Sequence, residues 1–161
     1  MKTIVLVAAA AAAVLMLATG AAAESNAPGK KEIPTVRKAS GTFDVDVKPD
    51  PAGAEFGRMT IDKQFHGDLD GTSKGEMLSA FGTVEGSGVY VAVERVTATL
   101  HGRKGTFVLH HSGVMNRGQQ THTVEVVPDS GTGELQGLTG TMKIIIVDRK
   151  HSYEFDYTLA H

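Results

Sequence analysis

Beyond residue 40, polar and apolar residues alternate with a period of two, and no helical period appears. Residues 41–48 set Phe43, Val45 and Val47 against Thr42, Asp44 and Asp46, the pattern of a half-buried strand. Pro49-Asp50-Pro51-Ala52-Gly53 ends it. A second strand is expected over residues 58–67, with Met59, Ile61 and Phe65 on one face and Lys63 interrupting that face. A turn at Asp70-Gly71 leads to a third, roughly residues 72–82, with Met77 and Phe81 on one side.

Residues 88–113 read as a long hairpin rich in Val, Thr and Tyr. A two-residue Gly102-Arg103 loop of the II′ kind pairs His101 with Lys104. Ala98 then faces Phe107, Val96 faces Leu109, and Glu94 faces His111, all on one side. That side is apolar except for its last pair, a carboxyl opposite an imidazole. A one-residue change of loop length would put Arg95 opposite His111 instead.

Asn116-Arg117-Gly118 turns the chain into a sixth strand, residues 120–127, which Pro128 stops. The glycine-rich residues 129–137 suit one short turn with Leu135 tucked inward. Thr139–Val147 follows, where three consecutive isoleucines predict burial on both faces, one of them against a neighbouring subunit. Residues 148–151 reverse the chain into a last strand, residues 152–159, with Tyr153, Phe155 and Tyr157 alternating against Glu154 and Asp156.

Eight strands joined by short connections imply antiparallel neighbours. Closing them into an eight-stranded antiparallel meander barrel removes exposed edges; a two-sheet sandwich is the second choice. The all-β domain is expected over residues 39–161. Ahead of it, Lys2, an apolar run over residues 4–18 and Ala21-Ala22-Ala23 have the form of a signal peptide, residues 1–23. Residues 24–38 read as a flexible leader. Export to the periplasm or the medium follows, with no stable membrane insertion once the signal is cleaved. Removing the signal removes Lys2, so the net charge moves from −2 to −3. The chain has no cysteine, which excludes a disulfide framework and a lipid-anchored lipoprotein. No basic stripe points to nucleic acid.

Three blocks, FHGDLDGTSKGEML (65–78), VERVTATLHGRKGTFVLHHSG (93–113) and VVPDSGTGELQGLTG (126–140), resemble the bacterial domain-of-unknown-function family 3224. The likeness runs from about Ala39 onward, with the blocks in the family's order and spacing. It implies an eight-stranded barrel similar to that of allene oxide cyclase. It carries no catalytic residue, since the family has no assigned reaction. The chain departs from the usual family pattern in its signal peptide and in the second histidine of His110-His111.

The chemical candidates are few. His110, His111 and His122 invite a metal, but adjacent His110 and His111 point to opposite faces and no HExxH spacing is present. Asp68-Leu69-Asp70-Gly71 with Glu76 lacks the spacing of a calcium loop. Gly131-Thr132-Gly133 sits in no strand–helix unit, and no GxSxG elbow exists. Neither metal nor cofactor is expected. What stands out is Glu94 with His111, either a structural pair or a proton-handling pair lining a cavity. Phe65, Phe81, Tyr90, Phe107, Leu109, Tyr153 and Tyr157 are the candidate ligand contacts, set against plain core packing. Three functional classes follow. The first is a barrel binding a small apolar or amphipathic ligand. The second is a cofactor-free isomerase or cyclase using Glu94 and His111. The third is a packed barrel acting through its surface or as a homo-oligomer through Thr139–Val147.

Overall fold

Eight strands follow one another around a closed barrel, each hydrogen-bonded to the next and the last to the first. The structure, a computed structural model, describes residues 35–50 and 55–159. The expected signal peptide and most of the expected leader lie outside the described residues. The strands are β1 (Arg37–Pro49), β2 (Gly57–Gly67), β3 (Leu69–Phe81) and β4 (Gly88–Leu100). They continue with β5 (Arg103–Asn116), β6 (Gln119–Val126), β7 (Thr139–Val147) and β8 (Lys150–Thr158). β1 takes in the last two residues of the expected leader: Arg37 faces Tyr157 and Lys38 faces Asp156, with an ion pair of 2.9 Å in the latter case.

The alternation seen in the sequence becomes inside and outside. On β8, Tyr153, Phe155 and Tyr157 are buried while Glu154 and Asp156 are exposed. One half of the interior is packed solid. Phe65, Leu69, Val96, Leu100, Phe107, Leu109 and Phe155 are fully buried there, each such side chain stabilising the fold by about 1.5–3 kcal/mol. The β6–β7 connection plugs this end. A 3-10 turn, Gly133–Leu135, drives Leu135 into the core, and Leu138 follows it. The plug is tied to β5 by Thr132 N–H donating to the Thr106 carbonyl at 2.8 Å.

Two turns differ from the sequence reading. Asp70-Gly71 lies inside β3; the reversal is at Gly67-Asp68, where Asp68 accepts from the Ser40 N–H at 2.8 Å. The central hairpin turns on His101-Gly102, both with positive φ (46° and 83°), a I′-like turn in place of the expected II′ loop. Leu100 therefore faces Arg103, Val96 faces Phe107 and Glu94 faces Leu109, two residues from the expected register. A histidine tolerates the left-handed region better than most residues, and here its ring is held. His101 Nδ1 lies 2.7 Å from the Tyr157 hydroxyl, and its backbone N–H donates to the Asp68 carbonyl at 3.0 Å.

The isoleucine run is also less buried than expected. Ile144 and Ile145 are half-buried, and Ile146 and Val147 are each 61 % exposed. The cause is the β6–β7 seam: these strands pair at a single position, Glu125 with Thr141, near the plugged end. Toward the other end they part, and Gln119 to Thr123 are exposed on both faces.

Candidate functional site

At mid-height the apolar interior gives way to four polar side chains. Lys63 on β2 faces Ser73 on β3. Glu94 on β4 faces Gly75, two residues along from Ser73. His111 on β5 faces Ala92, two residues along from Glu94. These steps follow the tilt of barrel strands, so the four side chains form one band across β2–β5. Lys63, Glu94 and His111 have side chains only 5, 0 and 5 % exposed.

Glu94 is the hub. Its Oε1 accepts from Lys63 Nζ at 2.8 Å and from His111 Nε2 at 3.0 Å, and its Oε2 accepts from Ser73 Oγ at 3.0 Å. Gly75 makes room for it: a Cβ there would lie 2.6 Å from the Glu94 Cβ and 2.5 Å from the Val93 carbonyl oxygen. Burial pushes the carboxyl up, but the His111 hydrogen bond and the Lys63 charge outweigh it and hold the pKa down at about 2. Glu94 is thus a carboxylate at neutral pH. The Lys63 ammonium also sits 5.0 Å from the Phe43 ring centroid and 5.8 Å from that of Phe65, a favourable setting for a desolvated cation.

A carboxylate is an acceptor only, so Nε2 of His111 carries a proton and donates it to Glu94. This leaves Nδ1 for a partner other than Glu94. Nδ1 has no protein partner, yet no fully buried side-chain nitrogen or oxygen among the described residues lacks one. It therefore reaches solvent. His111 points inward, at the border of the unplugged half of the barrel. The inward positions there are Val45, Met59, Met77, Tyr90, Met115 and Ile144, all half-buried. The Tyr90 ring lies against Gly113, and burial pushes its phenol pKa up.

The structure brings Glu94 and His111 into contact and separates the candidate ligand contacts into two groups. Phe65, Phe107, Leu109, Tyr153 and Tyr157 are 0–2 % exposed within the packed half, where neighbouring side chains fill the space. Tyr90 lies in the open half, and Phe81 is at the rim, 71 % exposed. His110 faces outward beside Glu125 at 3.3 Å, on the opposite side of β5 from His111. Among the described residues no three His, Asp or Glu side chains gather as a metal-ligand set. Lys63 and Ser73 are the members that sequence reasoning missed. Lys63 carried a signal, the only charge on an otherwise apolar strand face; Ser73 carried none.

The profile of the family described as "Protein of unknown function (DUF3224)" matches residues 39–157. The chain belongs to the DUF3224 family. The matched span runs from β1 through most of β8 and contains the whole Lys63–Ser73–Glu94–His111 band. Among solved DUF3224 structures, a protein with unknown function from Shewanella oneidensis MR-1 is 47 % identical to this chain. The match covers 79 % of this chain and 99 % of that one, with a TM-score of 0.75. No curated protein matches the chain.

Proposed function

We propose that this DUF3224 protein is an exported binding barrel that holds a small amphipathic molecule in its unplugged half. The ligand's apolar part lies against Met59, Met77, Met115 and Ile144, and its polar end donates a hydrogen bond to His111 Nδ1 beside the Tyr90 hydroxyl. The observation that carries this reading is the unpartnered, solvent-reaching Nδ1 on an otherwise satisfied buried network. Lys63 and Glu94 neutralise each other, so the site favours a neutral donor such as a hydroxyl over an ion. Three methionines on one lining suit a ligand of irregular shape, because the thioether side chain adapts to its contact. Buried ion pairs are poor stabilisers compared with apolar packing, which argues for a role beyond filling the barrel.

A second reading rests on the Glu94–His111 contact itself. A carboxylate that fixes an imidazole and leaves the other nitrogen free is the arrangement of an oriented general base. In this reading His111 Nδ1 takes a proton in a cofactor-free isomerisation or cyclisation. Glu94, with its pKa near 2, is too weak a base at neutral pH to share that role and orients the ring.

Native mass spectrometry of protein purified from its expression host tests the binding reading. An adduct is expected that denaturing extraction removes, and Met77→Trp, which fills the open half, is expected to abolish it. A ligand-free spectrum, or an adduct untouched by Met77→Trp, would overturn the site. For the enzyme reading, His111→Gln should stop turnover of the identified ligand while retaining its binding.

A further inference from the structure

The outer face of β2–β5 carries a feature separate from the interior. Cross-strand partners form three rows there: Arg58, Leu78 and Val91; Thr60, Glu76 and Val93; and Asp62, Lys74, Arg95 and Val108. Together with Phe56 they line a groove of about 990 Å3, within the size range of small-molecule sites. Its floor is apolar and uncovered, with Phe56, Leu78, Val91 and Val93 between 44 and 57 % exposed. A contiguous exposed patch of this kind marks a contact surface more often than scattered apolar residues do.

The charges lining the groove are uneven. Arg58 pairs with Glu76 at 2.7 Å and Lys74 with Asp62 at 3.2 Å, which engages both acids. Arg95 lies directly opposite Lys74, a repulsive placement, and forms no ion pair with a described residue. The groove thus runs from an end where Phe56, Leu78 and Val91 lie beside an Arg58 already engaged by acids to an end where Arg95 is the cation left without an ion pair. Val91 and Arg95 are four residues apart on one strand, about 13 Å at the usual rise.

We propose that this outer groove binds a long-chain carboxylate, its chain on Leu78, Val91 and Val93 and its head on the Arg95 guanidinium. A planar guanidinium receives a carboxylate through two parallel hydrogen bonds. The same charge pattern disfavours a second copy as occupant. A two-fold contact centred on the Lys74–Arg95 row would bring two such pairs together, with both acids of the groove already engaged.

Fluorescence titration of the purified protein with a dansyl-labelled undecanoate tests the proposal. Saturable binding is expected, weakened at least about tenfold by Arg95→Gln and less by Arg95→Lys, since a contact to a charged group is lost. The methyl ester of the same probe should not distinguish wild type from Arg95→Gln. Amide shifts on probe addition should fall at Leu78, Val91, Val93 and Arg95. Arg95 is exposed and unpaired, so an unchanged melting temperature will show that the variants fold. Equal affinity in Arg95→Gln, absence of saturable binding, or shifts centred on Tyr90 and His111 would each overturn the proposal. So would a dimer in sedimentation that Val93→Glu converts to monomer, because a second copy would then cover the groove.

Discussion

Glu94 and His111 meet along a diagonal. Neither is the other's cross-strand partner, Glu94 facing Leu109 and His111 facing Ala92, yet Oε1 and Nε2 lie 3.0 Å apart. The contact survives a register two residues away from that expected because strand faces repeat every two residues. A slip of one would have sent one of the two outward. The diagonal also places Glu94 between Lys63 and His111, so one carboxylate oxygen serves both.

Replacing Glu94 with Gln is expected to destabilise the fold by about 3–5 kcal/mol, the range for leaving a buried charge without its partner. Lys63, with a side chain 5 % exposed, would become that charge. Adding Lys63→Met should restore more than half of the loss, because Gln can still accept from His111 and no orphan ammonium remains. Urea denaturation of the two variants provides the check. A cost below about 1 kcal/mol for Glu94→Gln would mean the pair is solvated.

The same carboxylate sets an acid limit. Its pKa is lowered in the fold, from 4.5 to about 2, so its contribution is fully present above 4.5 and disappears as pH falls toward 2. At about 1.4 kcal/mol per unit, the contribution is on the order of 3 kcal/mol. Unfolding free energies measured across this window should fall steeply for the wild type and more gently for Glu94→Gln. Parallel curves would show that other carboxylates govern acid unfolding.

Much of this architecture was legible because it depends on face alternation. Phe155 and Tyr157 inside, Glu154 and Asp156 outside, and the closure of eight short-linked strands follow from a period of two and from edge avoidance. Turn chemistry was harder to read. Gly102 suggested a loop beginning at glycine, whereas His101 takes the first left-handed position because Tyr157, 56 residues away in sequence, holds its ring. The candidate site was half-visible for a similar reason. Glu94 and His111 share a hairpin, but Lys63 and Ser73 reach them only through strand tilt, which no local pattern encodes. Within one chain the isoleucine run is partly exposed, because β6 pairs with β7 at one position only, which hydropathy cannot show.

Gly75→Ala should be more harmful than a typical strand substitution. The added methyl would meet the Val93 carbonyl and the Glu94 Cβ, both backbone-proximal atoms that cannot swing away. Overpacking of this kind costs about 1–3 kcal/mol, and it would push Glu94 off its hydrogen bonds. A lower melting temperature is expected together with shifted His111 ring resonances. An unshifted His111 ring would show that β3 absorbs the methyl without disturbing the band.

Hydrogen exchange along the β6–β7 seam should reveal where the barrel is open. In an antiparallel strand, successive residues direct their amides to opposite neighbours. On β4, which pairs along its length with both β3 and β5, both sets of amides should be protected. β7 pairs with β8 from Thr139 to Val147 but with β6 only at Thr141. Beyond Thr141, the amides directed at β8 should therefore exchange slowly and the alternate ones quickly, giving a two-residue saw-tooth over residues 142–147. Gln119 to Thr123 on β6 should show the same pattern against β5. Local opening carries little free-energy cost where backbone hydrogen bonds face solvent, so the fast set should exchange without global unfolding. Because β6 and β7 pair only at Glu125 and Thr141, fast exchange beyond that point would mark a side entrance to the space in front of His111. Uniform protection along both strands would close that entrance and leave the barrel mouth as the route in.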